Sequence, residues 1–114
     1  MSTPVLKLPH RPTAPAHLSA EATDIWSATV RAFVFAPHEL VTLRSALEAW
    51  DRADAARRFL DEHGTTFADR FGQPKARPEV MVELHNRAAF LRAWKALDLP
   101  TDDGGPSHTS LVPR

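Results

Sequence analysis

The 114-residue sequence contains no cysteine. That removes disulfides, thiolate metal sites and cysteine nucleophiles together, and it fits a chain that works in a reducing compartment. Net charge is absent too: 14 lysines and arginines balance 14 aspartates and glutamates. No global field therefore draws the chain to nucleic acid, and any such binding has to come from local clusters or from many copies acting together. No apolar run approaches the roughly 18 residues that span a bilayer, and the N-terminus lacks a signal-peptide core. The expectation is a soluble, intracellular chain without a membrane partner. Length allows one domain with tails, and burial scaling leaves so small a core marginal unless more surface is covered in an assembly. Oligomerisation follows as the first expectation.

What is present is organised around one long stretch, Pro37 to His63, followed by Gly64. Proline suits the first turn of a helix and glycine the position just past its end. Leu40, Leu43, Leu47 and Trp50 recur at helical spacing, and Ala46, Ala49, Ala53, Ala56 and Leu60 form a second stripe beside them. Two apolar stripes call for two neighbours. The remaining face holds Glu48–Arg52, Asp54–Arg58 and Arg57–Asp61 at i,i+4 spacing, as ion pairs of a solvated face.

Ahead of it, residues 1–17 hold four prolines with Lys7, His10 and Arg11 and no acidic residue, which reads as an extended, mobile, weakly basic arm. Ser19 and Glu21 open a first helix whose face is Ala22, Ile25, Trp26, Thr29, Val30 and Phe33, ending near Phe35. After the long helix, Thr65-Thr66-Phe67, a turn at Asp69-Arg70 and Phe71-Gly72-Gln73 read as a hairpin-like loop. That loop brings Arg70, Lys75 and Arg77 together against Asp69 alone, the densest positive stretch in the chain.

Pro78 starts the last helix and Pro100 stops it after Leu99. Val80, Leu84, Ala88 and Leu91 form one stripe; Phe90, Trp94 and Leu97 form another, assigned to a neighbouring subunit together with the alanines Ala46, Ala49, Ala53 and Ala56, whose small side chains allow close helix approach. The competing reading is one wide core face. Residues 101–114, rich in Asp, Gly, Ser and Pro, read as disordered. Their last four, Leu111-Val112-Pro113-Arg114, match the left half of a thrombin cleavage sequence used in expression vectors and are given no function.

Catalytic chemistry is not apparent in this pattern. The histidines His10, His17 and His108 fall in the tails, His38, His63 and His85 stand on separate elements without ligand spacing, and His38-Glu39 lacks the second histidine of a zincin helix. Carboxylates are accounted for by i,i+4 pairs, no G-x-S-x-G elbow is present, and Gly64 and Gly72 do not make a phosphate loop. No metal, cofactor or catalytic residue is assigned.

The order of features, Pro15-x-x-Leu18 with Trp26 eight residues on, a long helix ending at Gly64, then Phe67, Gly72, Lys75 and Arg77-Pro78, and a close at Leu97-x-Leu99-Pro100, resembles the phage terminase small subunits of the P27 family. The resemblance runs from about Pro15 to Pro100. Asp98 departs from it where glycine is usual, and Arg77 where asparagine or histidine is frequent. It implies a mainly α fold of three helices, residues 18–100, assembled as a ring in the host bacterial cytoplasm. It also implies a non-catalytic regulator that binds phage double-stranded DNA and recruits or stimulates the large subunit, which holds the ATPase and nuclease. On that reading Lys7, Arg11, Arg70, Lys75 and Arg77 meet phosphates. Two alternatives stand beside it. An all-helical head–tail connector shares the small size and lack of catalytic groups but binds portal protein rather than DNA. A helix-turn-helix regulator needs a short polar recognition helix, which the ion-paired long helix does not resemble.

Overall fold

The computed structural model describes residues 11–100 together with Val112–Pro113, and it is mainly helical. Helix α1 spans Ala20–Ala32, a two-residue strand β1 spans Phe33–Val34, and the long central helix α2 spans Pro37–His63. Strands β2 (Thr66–Ala68) and β3 (Pro74–Ala76) form a hairpin, helix α3 spans Pro78–Leu97, and β4 is Val112–Pro113.

Each helix boundary has a local cause. Ser19 caps α1 by accepting from the Ala22 N–H, and Glu39 reaches back to accept from the Ala36 N–H at the start of α2. Gly64, at φ 84°, ends α2, and Pro78 opens α3. Asp98 caps α3 in the left-handed region at φ 49°, so the helix ends at Leu97, two residues earlier than the sequence pattern suggests. Helix α1 also stops early, at Ala32. Phe33 is already extended, Pro37 disfavours helical geometry at Ala36, and between them Phe35 turns inward to be buried with its ring edge-on to Phe33.

At about 1.5 Å per residue the 27 residues of α2 run about 40 Å. Helix α3 lies antiparallel along it, since Trp50 meets Phe90, Arg52 meets Asn86 and Arg57 meets Glu83, the partner number falling as the α2 number rises. Helix α1 reaches only the first half. Its opening turn is tied down by His17 to Glu48, Ser19 to Asp51 and the Trp50 indole N–H to Glu21, while Trp26 and Val30 join Leu43, Leu47, Phe35 and Leu97 in the buried core. The pair Glu48–Arg52 read from sequence does not form, because Glu48 is taken by His17 and Arg52 by Asn86. The pairs Asp54–Arg58 and Arg57–Asp61 form, each at 2.9 Å.

The assignment of stripes on α3 is reversed. Phe90, Trp94 and Leu97 turn inward onto the chain's own core, Phe90 edge-on to Trp50 with ring centroids 5.1 Å apart. Leu84 and Leu91 stay 58% and 61% exposed, with Met81 beside them. Aromatic rings bury more apolar area than leucines do, which decides which stripe goes in. Ala46, Ala49, Ala53 and Ala56 are likewise buried within one chain. The long helix thus finds its second neighbour in α3, without a second copy.

The end of the proline-rich arm is held rather than loose. The buried Trp26 donates its indole N–H to the Pro12 carbonyl at 2.9 Å, Ala14 packs on the core and Leu18 is buried in it. In the tail, β4 pairs antiparallel with β1, Phe33 opposite Pro113 and Val34 opposite Val112. The remaining tail positions and residues 1–10 lie outside the described residues.

Candidate nucleic-acid interface

The hairpin sits at the far end of α2, where α1 does not reach. Its register sets Thr66 opposite Ala76, Phe67 opposite Lys75 and Ala68 opposite Pro74, and the Arg77 N–H extends the ladder by donating to the Thr65 carbonyl. The sequence reading put the second strand three residues too early. The turn occupies Asp69 to Gln73 instead, because one Asp69 carboxylate oxygen accepts from the backbone N–H groups of both Phe71 and Gln73, at 2.8 and 2.9 Å. Backbone bonds from Asp69 N–H to the Gln73 carbonyl and from Gly72 N–H to the Asp69 carbonyl close the loop. Gly72 adopts φ 77°, a conformation that side-chain-bearing residues rarely take.

The three loop cations have different surroundings. Arg77 is half-buried: its guanidinium lies 5.8 Å from the ring centres of both Phe59 and Phe67 and donates to the His63 carbonyl at 3.3 Å. It joins the hairpin to the end of α2. Arg70 and Lys75 are exposed and have no carboxylate partner among the described residues. The nearby Asp69 directs its oxygen at the backbone of the turn, and Arg70 rests over the Phe71 ring at 4.8 Å. The hairpin, standing on two packed helices, thus presents two solvent-facing cations on a loop closed by its own hydrogen bonds.

The arm does not join that surface. Arg11 is exposed beside Pro12, which is held at Trp26, and His17 meets α2 at Glu48. From Glu48 to His63 the helix rises about 22 Å, so Arg11 and the hairpin occupy opposite ends of the chain. Lys7 lies outside the described residues. Among the described residues no group of histidines, aspartates and glutamates is placed to hold a metal ion, and no helix is long and apolar enough to cross a membrane. The exposure of Phe71 and the inward role of Arg77 were not legible in the sequence. The sole signal for either was the alternation of aromatic and basic residues between Phe67 and Arg77.

Comparison with protein families, with curated proteins and with solved structures finds no match.

Proposed function

We propose that this chain is a non-catalytic, DNA-binding accessory protein of a tailed phage or prophage, acting as a terminase small subunit acts in genome packaging. The observation that supports it is the hairpin: Arg70 and Lys75 face solvent unpaired on a loop whose geometry is fixed before any ligand arrives. Charge in a fixed place favours phosphate without an ordering cost. The packaging role and the large-subunit partner rest on the resemblance of Pro15, Leu18, Trp26, Gly64, Gly72, Lys75 and Pro78 in their order along the chain. Copies assemble, and two cations per chain repeated around a ring sum to a phosphate-binding annulus, which removes the objection of net neutrality. With Phe90, Trp94 and the alanines turned inward, the face offered to a neighbouring copy is Met81, Leu84 and Leu91.

The test is binding to a fluorescent double-stranded oligonucleotide across a range of salt, with mass measured by light scattering on the same samples. The expected result is a discrete multimer whose affinity falls steeply with salt. Replacing both Arg70 and Lys75 by alanine should lower the log–log slope by about two for each chain engaged. A multimer indifferent to DNA at low salt would move the assignment to a connector-type structural protein, and a monomer indifferent to DNA would sink both.

A further inference from the structure

Phe71 is the most exposed large apolar side chain among the described residues, at 73%. Leaving a phenyl ring in water gives up the burial that places most such rings in cores, and the chain has inward positions for aromatics, as Trp26 and Phe35 show. The ring is also not on a loose loop. Its own N–H is held by Asp69, the next residue is the left-handed Gly72, and the Arg70 guanidinium lies against its face at 4.8 Å. The hairpin therefore presents one apolar wedge at its tip, with a cation stacked on it and Lys75 lower on the same loop.

We propose that Phe71 enters duplex DNA as a wedge at a base step, partly unstacking it and bending the helix, while Arg70 and Lys75 hold the flanking phosphates. This rests on the DNA-binding reading above. Apolar side chains inserted between base steps from a cation-flanked element kink the duplex toward the side away from the protein, and the cost of unstacking is offset by the contacts the bend allows. Steps that unstack readily, pyrimidine followed by purine, are the ones such a wedge selects, so Phe71 reads deformability.

The experiment compares the full chain with Phe71→Ala, Phe71→Trp and the Arg70→Ala/Lys75→Ala double variant on a duplex labelled at both ends, reading affinity, end-to-end energy transfer and salt slope together. Circular dichroism checks folding, which an exposed residue should not disturb. The wedge predicts that the unsubstituted chain shortens the end-to-end distance. Phe71→Ala should lose that shortening and about tenfold in affinity with its salt slope unchanged, and Phe71→Trp should restore both. The double variant should change the slope instead. If the unsubstituted chain does not bind duplex at all, the DNA reading falls and takes the wedge with it. If it binds with the expected slope but Phe71→Ala binds and bends as before, the wedge alone is overturned. Tighter binding to a single strand than to duplex, or a Phe71→Ala variant that keeps its DNA affinity and assembles into a smaller multimer, also overturns it.

Discussion

The two halves of α2 differ in what they bury. From Leu40 to Asp51 the helix lies between α1 and the last turns of α3, and leucines and aromatics interlock there: Leu43, Leu47, Trp26, Phe35 and Leu97 are buried, with Trp50, Phe90 and Trp94 packed against them. From Ala53 to His63 only α3 remains alongside, and the buried side chains are Ala53, Ala56 and Leu60. Large apolar groups in that second region instead face solvent, at Phe67, Phe71, Met81, Val82 and Leu84. Stability is therefore concentrated at one end of the molecule, while the other buries little beyond alanines and Leu60. A local opening of the thin end costs less than global unfolding, so hydrogen exchange should be faster in the hairpin and the facing turns of α2 and α3 than around Leu47.

The largest expected effect tests that contrast directly. Leu47→Ala empties a fully buried site at the three-helix junction and should cost about 4 kcal/mol, lowering the melting temperature of the whole chain. Leu60→Ala removes the same atoms from the two-helix end, where neighbours can close in. It should cost about 2 kcal/mol, with faster amide exchange confined to residues near the hairpin. Equal losses and a uniform change in exchange would show that the two halves unfold as one unit.

How far the sequence prefigures this division depends on the residue. Helix ends were legible where proline or glycine sets them, at Pro37, Gly64 and Pro78, because those signals act on the backbone locally. Periodicity revealed two stripes on α3 but not which one turns inward. That choice is settled across helices, by Phe90 meeting Trp50. The hairpin's second strand was misplaced because Asp69 builds a longer turn than its neighbours suggest. Arg70 and Lys75 stood out as charge density, whereas the use of Arg77 between Phe59 and Phe67 depends on a fold in which residues eight and more positions apart converge.

A smaller effect sharpens the comparison from the side of α1. Asp51 accepts from both the backbone N–H and the hydroxyl of Ser19, whose oxygen in turn caps α1. Asp51→Ala leaves the Ser19 cap on Ala22 but removes both of its ties to α2, and should cost about 1–2 kcal/mol. Amide exchange should quicken in the first turn of α1 and leave the hairpin unchanged. Quickening at the hairpin instead would mean that the two ends are coupled through α2.

The smallest effect belongs to the thin end, and its size is informative for that reason. Glu83 bridges the helices, accepting from Arg57 at 3.3 Å and from Arg87 at 3.1 Å, while Arg87 lies over the Trp50 ring. Both arginines are more than a third exposed, so solvent screens each pair and Glu83→Gln should cost only about 0.5 kcal/mol at low salt, less at high salt. Neutralising Glu83 leaves Arg57 with Asp61 and Arg87 with Trp50, so neither cation is stranded. The substitution also adds one unit of net positive charge to the helices that support the hairpin. A chain that binds DNA through Arg70 and Lys75 should then gain slightly in affinity even as it loses slightly in stability. Thermal melts and DNA titrations on the same variant should move in opposite directions. If both fall together, Glu83 is holding the hairpin's platform in place, and the thin end owes more to its ion pairs than to its alanines.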